Sequence, residues 1–133
     1  MLERSHVQSS GFANVGPSDG PTGFRLRIRQ PNYRGTRVSL MQGVDVTVDG
    51  ELFPASGNRY RIGERDYAHA ELDALTELRW SVGETIDVIV DKPGGLARGV
   101  HLVETVLYYR HPYFPPQFRP IPVRDSRHAT IVL

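Results

Sequence analysis

Period-two alternation constrains this chain more than any other feature. In Gly23 to Arg29, Phe24, Leu26 and Ile28 alternate with Arg25, Arg27 and Arg29. Successive side chains on a strand point to opposite faces, so one face is apolar and the other carries three guanidinium groups. Val44, Val46 and Val48 alternate with Asp45 and Thr47, the pattern of a half-buried antiparallel strand. Asp49-Gly50 follows at once and suits a type I′ hairpin turn, which needs positive φ at both central residues. Between the two strands, Gln30 to Gly35 cannot extend a ladder and reads as a loop presenting Tyr33 and Arg34.

The rest of the chain repeats this grammar. Asn58 to Ile62, Leu78 with Trp80, and Ile86 to Val90 read as further strands, with Asp87 outward. Ala68 to Leu75 is the one stretch that predicts a helix, about two turns long. Asp66 and Glu71 flank its start as capping or solvated charges. Residues 1–22, polar and rich in Gly, Ser and Pro, read as a loose N-terminal arm with a short strand at Phe12 to Val15. Residues 23–133 read as a single domain. Seven or eight short strands separated by turn signals predict an all-β fold, an antiparallel β-sandwich or jelly-roll, with at most one or two short helices.

Gly99 to Arg110 is the longest strand candidate, and both its faces are largely apolar: Val100, Leu102, Val106 and Tyr108 on one, Val103, Leu107 and Tyr109 on the other. A strand covered on one side alternates more cleanly. This strand is therefore expected to be covered twice, the second time by the N-terminal arm or by another subunit. His111 to Pro122 follows it, rich in proline and carrying Tyr113, Phe114 and Phe118. Proline removes backbone donors and fixes φ, so the segment is stiff and cannot be a central strand. Its aromatic side chains either cap the chain's own sheet or anchor a partner.

With 133 residues the chain fits one domain and needs no cross-link; it has no cysteine. Met1 to Phe12 lacks the apolar core of a secretion signal, and no apolar run approaches the roughly 20 residues that span a bilayer. The expectation is a cytoplasmic protein without membrane contact. Sixteen basic residues against fifteen acidic leave a net charge of +1, which argues against a nucleic-acid binder. The arginine stripe is either a solvated strand face or a surface for a partner's acidic residues.

Catalytic signals are weak. The histidines at 6, 69, 101, 111 and 128 lack metal-pair spacing, and no metal site is expected in this chain. His101 reads as a packed or interface residue. There is no nucleophile elbow or phosphate-cradling glycine loop. Asp45 and Asp87 sit on outward faces, and sequence cannot place a carboxylate pair about 5 to 9 Å apart across a cleft. The residues favour a binding or structural module over an enzyme, and no catalytic residue is assigned.

A series of short pieces resembles the small (β) subunit of bacterial C-glycoside deglycosidases. They are Gly23-Phe24, Pro31 to Gly35, Val46 to Glu51, Tyr67 with Glu71-Leu72, Trp80, Lys92 to Leu96 with Gly99, and Arg110 to Pro115. They occur in family order over roughly residues 12–133. The resemblance implies a β-sandwich paired with a larger, catalytic, TIM-barrel-like α subunit that holds a divalent metal, manganese in the family's pattern, and a histidine base. It implies a complex that cleaves the C–C bond between a 3-keto sugar and an aromatic, flavonoid-type aglycone. The residues expected at the partner or near substrate are Tyr33, Arg34, His111, Tyr113, Phe114 and Phe118. A free-standing carbohydrate-binding sandwich and an enzyme active by itself remain as alternatives.

Overall fold

The computed structural model describes residues 6–30, 36–81, 83–109 and 121–132. Eleven strands run in chain order: β1 Ala13–Val15, β2 Gly23–Arg29, β3 Thr36–Arg37, β4 Met41–Val48, β5 Glu51–Phe53, β6 Arg59–Ile62, β7 Arg65–Ala68, β8 Arg79–Trp80, β9 Thr85–Asp91, β10 Gly99–Tyr109 and β11 Ile121–Ile131. They form a five-stranded sheet ordered β1-β2-β9-β6-β7, a four-stranded sheet ordered β11-β10-β4-β5, and a two-stranded ladder of β3 with β8. Every pairing is antiparallel. The sandwich expected from the alternation is present. The strand number exceeds the expected seven or eight because the short strands β3 and β7, two and four residues long, show no hydrophobic alternation in the sequence.

The alternation decides which side chains meet between the sheets. Phe24, Leu26 and Ile28 on β2 and Ile86, Val88 and Val90 on β9 face Val44, Val46 and Val48 on β4 and Val103 and Leu107 on β10, all buried in one apolar cluster. Tyr60 is buried among them, and burial raises its phenol pKa. It donates to the Ala55 carbonyl (2.9 Å) and accepts from Val44 N–H (3.0 Å), so its polar tip is satisfied. The Asp49-Gly50 turn has φ of 50° and 89°, the positive pair a type I′ turn requires. Between the pairs Leu107–Val44 and Tyr109–Met41, β4 carries one more residue than β10, a bulge at which Gly43 holds φ +103°.

Two expectations change. The helix at Ala68 to Leu75 is a 3-10 helix over His69–Ala74. The Glu71 carboxylate accepts from Ala68 N–H (2.9 Å) at its start, while Asp66 pairs with Arg61 instead (2.7 Å). Residues 6–15 are not loose. Val7 and Phe12 are buried, Gln8 and Arg29 exchange backbone hydrogen bonds with Arg27 and His6, and β1 adds to β2. The amides of His6 and Val7 reach across to the Asp125 carboxylate on β11 (3.0 and 2.9 Å). This segment therefore closes the seam between the two sheets at β2 and β11.

Candidate functional site

The partner-facing residues expected from the sequence, Tyr33, Arg34, His111, Tyr113, Phe114 and Phe118, all lie outside the described residues. Their points of departure are described. The Gln30 side-chain amide donates to the Trp80 carbonyl (2.9 Å) and to Thr36 Oγ1 (3.3 Å), and the Tyr109 hydroxyl donates to the Gln30 amide oxygen. Trp80 stacks on Tyr109 at 6.4 Å and donates its indole N–H to the Glu84 carbonyl (2.8 Å). Burial raises the Tyr109 pKa to about 12 against the opposing effect of its hydrogen bonds with Thr36 and Gln30, so it stays a neutral donor. Gln30 and Thr36 flank residues 31–35, and Tyr109 ends the strand before residues 110–120. One buried polar knot thus gathers the ends of both segments at one end of the sandwich. Sequence reading missed Gln30 and Tyr109 as its organisers, because nothing local marks a glutamine that bonds residues 50 and 79 positions away.

The outer face of the five-stranded sheet carries the arginine stripe. Two of its three arginines, Arg25 and Arg27, are engaged within the chain. Arg27 forks onto Asp87 one strand over (2.9 and 3.5 Å), and the hydrogen bond to that carboxylate raises its pKa. Arg61 grips Asp66, Arg59 pairs with Asp91 (2.9 Å), and Arg25 Nε–H donates to the Gly11 carbonyl (3.2 Å). Asp87 is outward as expected but buried. Ile89, also outward, is 3% exposed although it lies outside the inter-sheet core. Arg25 and Arg59 are its cross-strand neighbours, placed where long aliphatic stems can cover an apolar residue while the guanidinium groups reach the surface.

The outer face of the four-stranded sheet is built differently. Val100, Leu102, Glu104, Val106 and Tyr108 on β10 lie beside Thr130, His128, Ser126, Arg124 and Pro122 on β11 and, on the other flank, beside Thr47 and Asp45 on β4, with Leu52 beyond Thr47. Val100 is 65% exposed and Leu52 57%. An open depression of about 510 Å³ runs over this face, lined by Thr47, Glu104, Val106, Arg124 and Ser126. The N-terminal segment does not supply the expected second cover, because it packs along the sheet seam instead. Asp45 is committed locally, accepting from Ala55 N–H (2.7 Å) and the Tyr108 hydroxyl (2.8 Å).

His101 is packed, on the inner face of β10, between Asp49 Oδ2 and the Ala97 carbonyl, both at 2.6 Å. Two acceptors need two ring N–H donors, so the ring is an imidazolium. Burial opposes the charge, but the Ala97 and Asp49 hydrogen bonds outweigh it and raise the pKa. The His101 and Leu102 hydrogen bonds lower that of Asp49. His6 sits 2.6 Å from Thr105 Oγ1, a hydroxyl beside a base, but both are buried and burial lowers the His6 pKa. Among the described residues no three His, Asp or Glu side chains converge to hold a metal, and no helix is long and apolar enough to cross a membrane.

These features define a small antiparallel β-sandwich. The sequence profile of the C-glycoside deglycosidase β-subunit family matches residues 2–113, and the chain belongs to that family. It is 33% identical over 125 residues to the 3′-dehydrocarminate deglycosidase β subunit of a Microbacterium species, covering 93% of this chain and 89% of that protein. It is 28% identical over 116 residues to the C-glycoside deglycosidase β subunit of Eubacterium cellulosolvens, covering 86% and 79%. A third relative with the same name, from Arthrobacter globiformis, is 30% identical over 70 residues, 53% of each chain.

Proposed function

We propose that this chain is the non-catalytic β subunit of a cytoplasmic complex that removes an aromatic, flavonoid-type aglycone from a 3-keto C-glycoside. The family match over residues 2–113 carries the reading. The word subunit in the names of its relatives implies an α partner, which we take to be a larger, TIM-barrel-like protein. The printed name of the Microbacterium relative specifies a 3′-dehydro substrate, in keeping with a sugar already oxidised at that position.

In this scheme the ketone at C3 acidifies the proton on C2. A base on the α subunit removes that proton, and a divalent metal held by the α subunit, manganese by family resemblance, supplies charge stabilisation for the enolate. The C1–aglycone bond then breaks with its electron pair leaving on the aglycone carbon, which takes up a proton. In this reading the β subunit contributes no metal ligand and no base, in keeping with the burial of His6 and His101 and the local bonds of Asp45 and Asp87. Its contact with the α subunit is assigned to Tyr33 and Arg34 and to His111, Tyr113, Phe114 and Phe118. The convergence of Gln30, Thr36 and Tyr109 at one end supports grouping the two segments.

The test is reconstitution. The purified chain should release no aglycone from a 3-keto C-glycoside, and mixing it with its α subunit should restore release. Turnover by this chain alone would overturn the proposal.

A further inference from the structure

The outer face of the four-stranded sheet is the least self-sufficient surface in the described structure. Leu52, Val100 and Val132 are exposed at 57%, 65% and 74%, and the first two lie on this face. Leu102, Val106 and Tyr108 extend the apolar strip along β10. Its midpoint is Glu104, exposed, flanked by Thr47 and Ser126, and in no ion pair among the described residues. Tyr108 and Pro122 carry the strip to the end of the sheet where Tyr109 joins the knot with Gln30.

We infer that this face docks the α subunit, against an aliphatic surface of that chain bearing a lysine or arginine opposite Glu104. The inference rests on the subunit reading above and adds a second surface to it. Three observations choose this occupant over another copy of the chain. A face about 35 Å long and about 15 to 20 Å wide offers roughly 600 Å², below the about 800 Å² that each partner buries in a standard interface. It suits one part of a larger contact better than a self-sufficient one. The strip is continuous with the end already assigned to the α subunit. A two-fold stacking of the face on itself would also bring two Glu104 carboxylates near the axis, and isologous contacts repeat every such clash.

The experiment uses the complex. Val100→Lys with Leu52→Lys alters two side chains that are more than half exposed, and Glu104→Lys reverses the central charge. The isolated variants should melt like the unaltered chain. Their affinity for the α subunit, measured by calorimetry, should fall by about a hundredfold for the double variant and about tenfold for Glu104→Lys. Arg29→Glu on the opposite sheet should change neither. If the unaltered chain fails to bind the α subunit, the subunit reading falls. If it binds and the variants bind equally well, only the docking face falls. Loss of a β-subunit homodimer with retained α binding would assign the face to a second copy. Unfolding of the isolated variants would assign it to residues 110–120 of the same chain, and either result overturns the inference.

Discussion

The two outer faces of this sandwich are both antiparallel, both solvent-side, and opposite in how they treat apolar surface. On the five-stranded sheet, Ile89 is nearly dry at 3% exposure between its cross-strand neighbours Arg25 and Arg59, and Asp87 is buried against Arg27. On the four-stranded sheet, Val100 and Leu52 end in water. Long side chains with charged tips make the difference. A guanidinium can leave its stem on a neighbour and still reach solvent or a carboxylate. Thr130 beside Val100 and Thr47 beside Leu52 are too short to do so. One face completes itself within the chain, while the other is left for another chain to complete.

Truncation breaks or sustains this comparison most directly. Ile89→Ala should destabilise the isolated chain by about 2 to 4 kcal/mol, as a buried aliphatic does, whereas Val100→Ala should cost under about 0.5 kcal/mol. Urea unfolding of the two variants decides it, and equal costs would mean that Arg25 and Arg59 do not shield Ile89 from water.

Removing a carboxylate gives a smaller contrast. Asp87→Ala strips Arg27 of its partner inside the sealed face and should cost about 1 to 2 kcal/mol, discounted because Arg27 remains one-third exposed. Glu104→Gln on the open face should leave the isolated chain's melting temperature unchanged. A cost at Glu104 comparable to that at Asp87 would contradict the assignment of Glu104 to a partner.

The smallest effects lie in pH, where two histidines of β10 and the N-terminal segment act with opposite sign. The folded pKa of His101 is raised, so its clamp on Asp49 is fully present below about 6.5 and is lost as pH rises through the raised value. The folded pKa of His6 is lowered, so its contribution is present above about 6.5 and is lost as pH falls through the lowered value. His101→Gln should therefore flatten the alkaline limb of a stability–pH curve and His6→Gln the limb just below pH 6.5. Unaltered limbs would refute the two protonation states.

The segments legible in advance were those whose reasons are local. Phe24, Leu26 and Ile28 face inward because a strand has period two, and Asp49-Gly50 turns because those residues tolerate positive φ. The two-faced apolarity of β10 announced a strand with more surface than one core can use. The six residues chosen as partner contacts fall outside the described structure, so the described site rests on other groups. The bonds of Gln30 and Tyr109 carried no local signal, and alternation placed Asp87 outward without giving its partner Arg27.

By itself, then, the sequence determined the strands, the hairpin turn, the inward side chains and the family, since periodicity, backbone preference and motif order are properties of neighbouring residues. Tertiary structure alone decided that His6 to Val15 closes the seam, that the helical stretch tightens to a 3-10 helix, that Arg27 pairs with Asp87 and Arg61 with Asp66 on the outer face, and that Val100 and Leu52 are left in water. Each of those outcomes depends on which distant strand lies alongside. That is set by the packing of two sheets around one core, which no window along the chain contains.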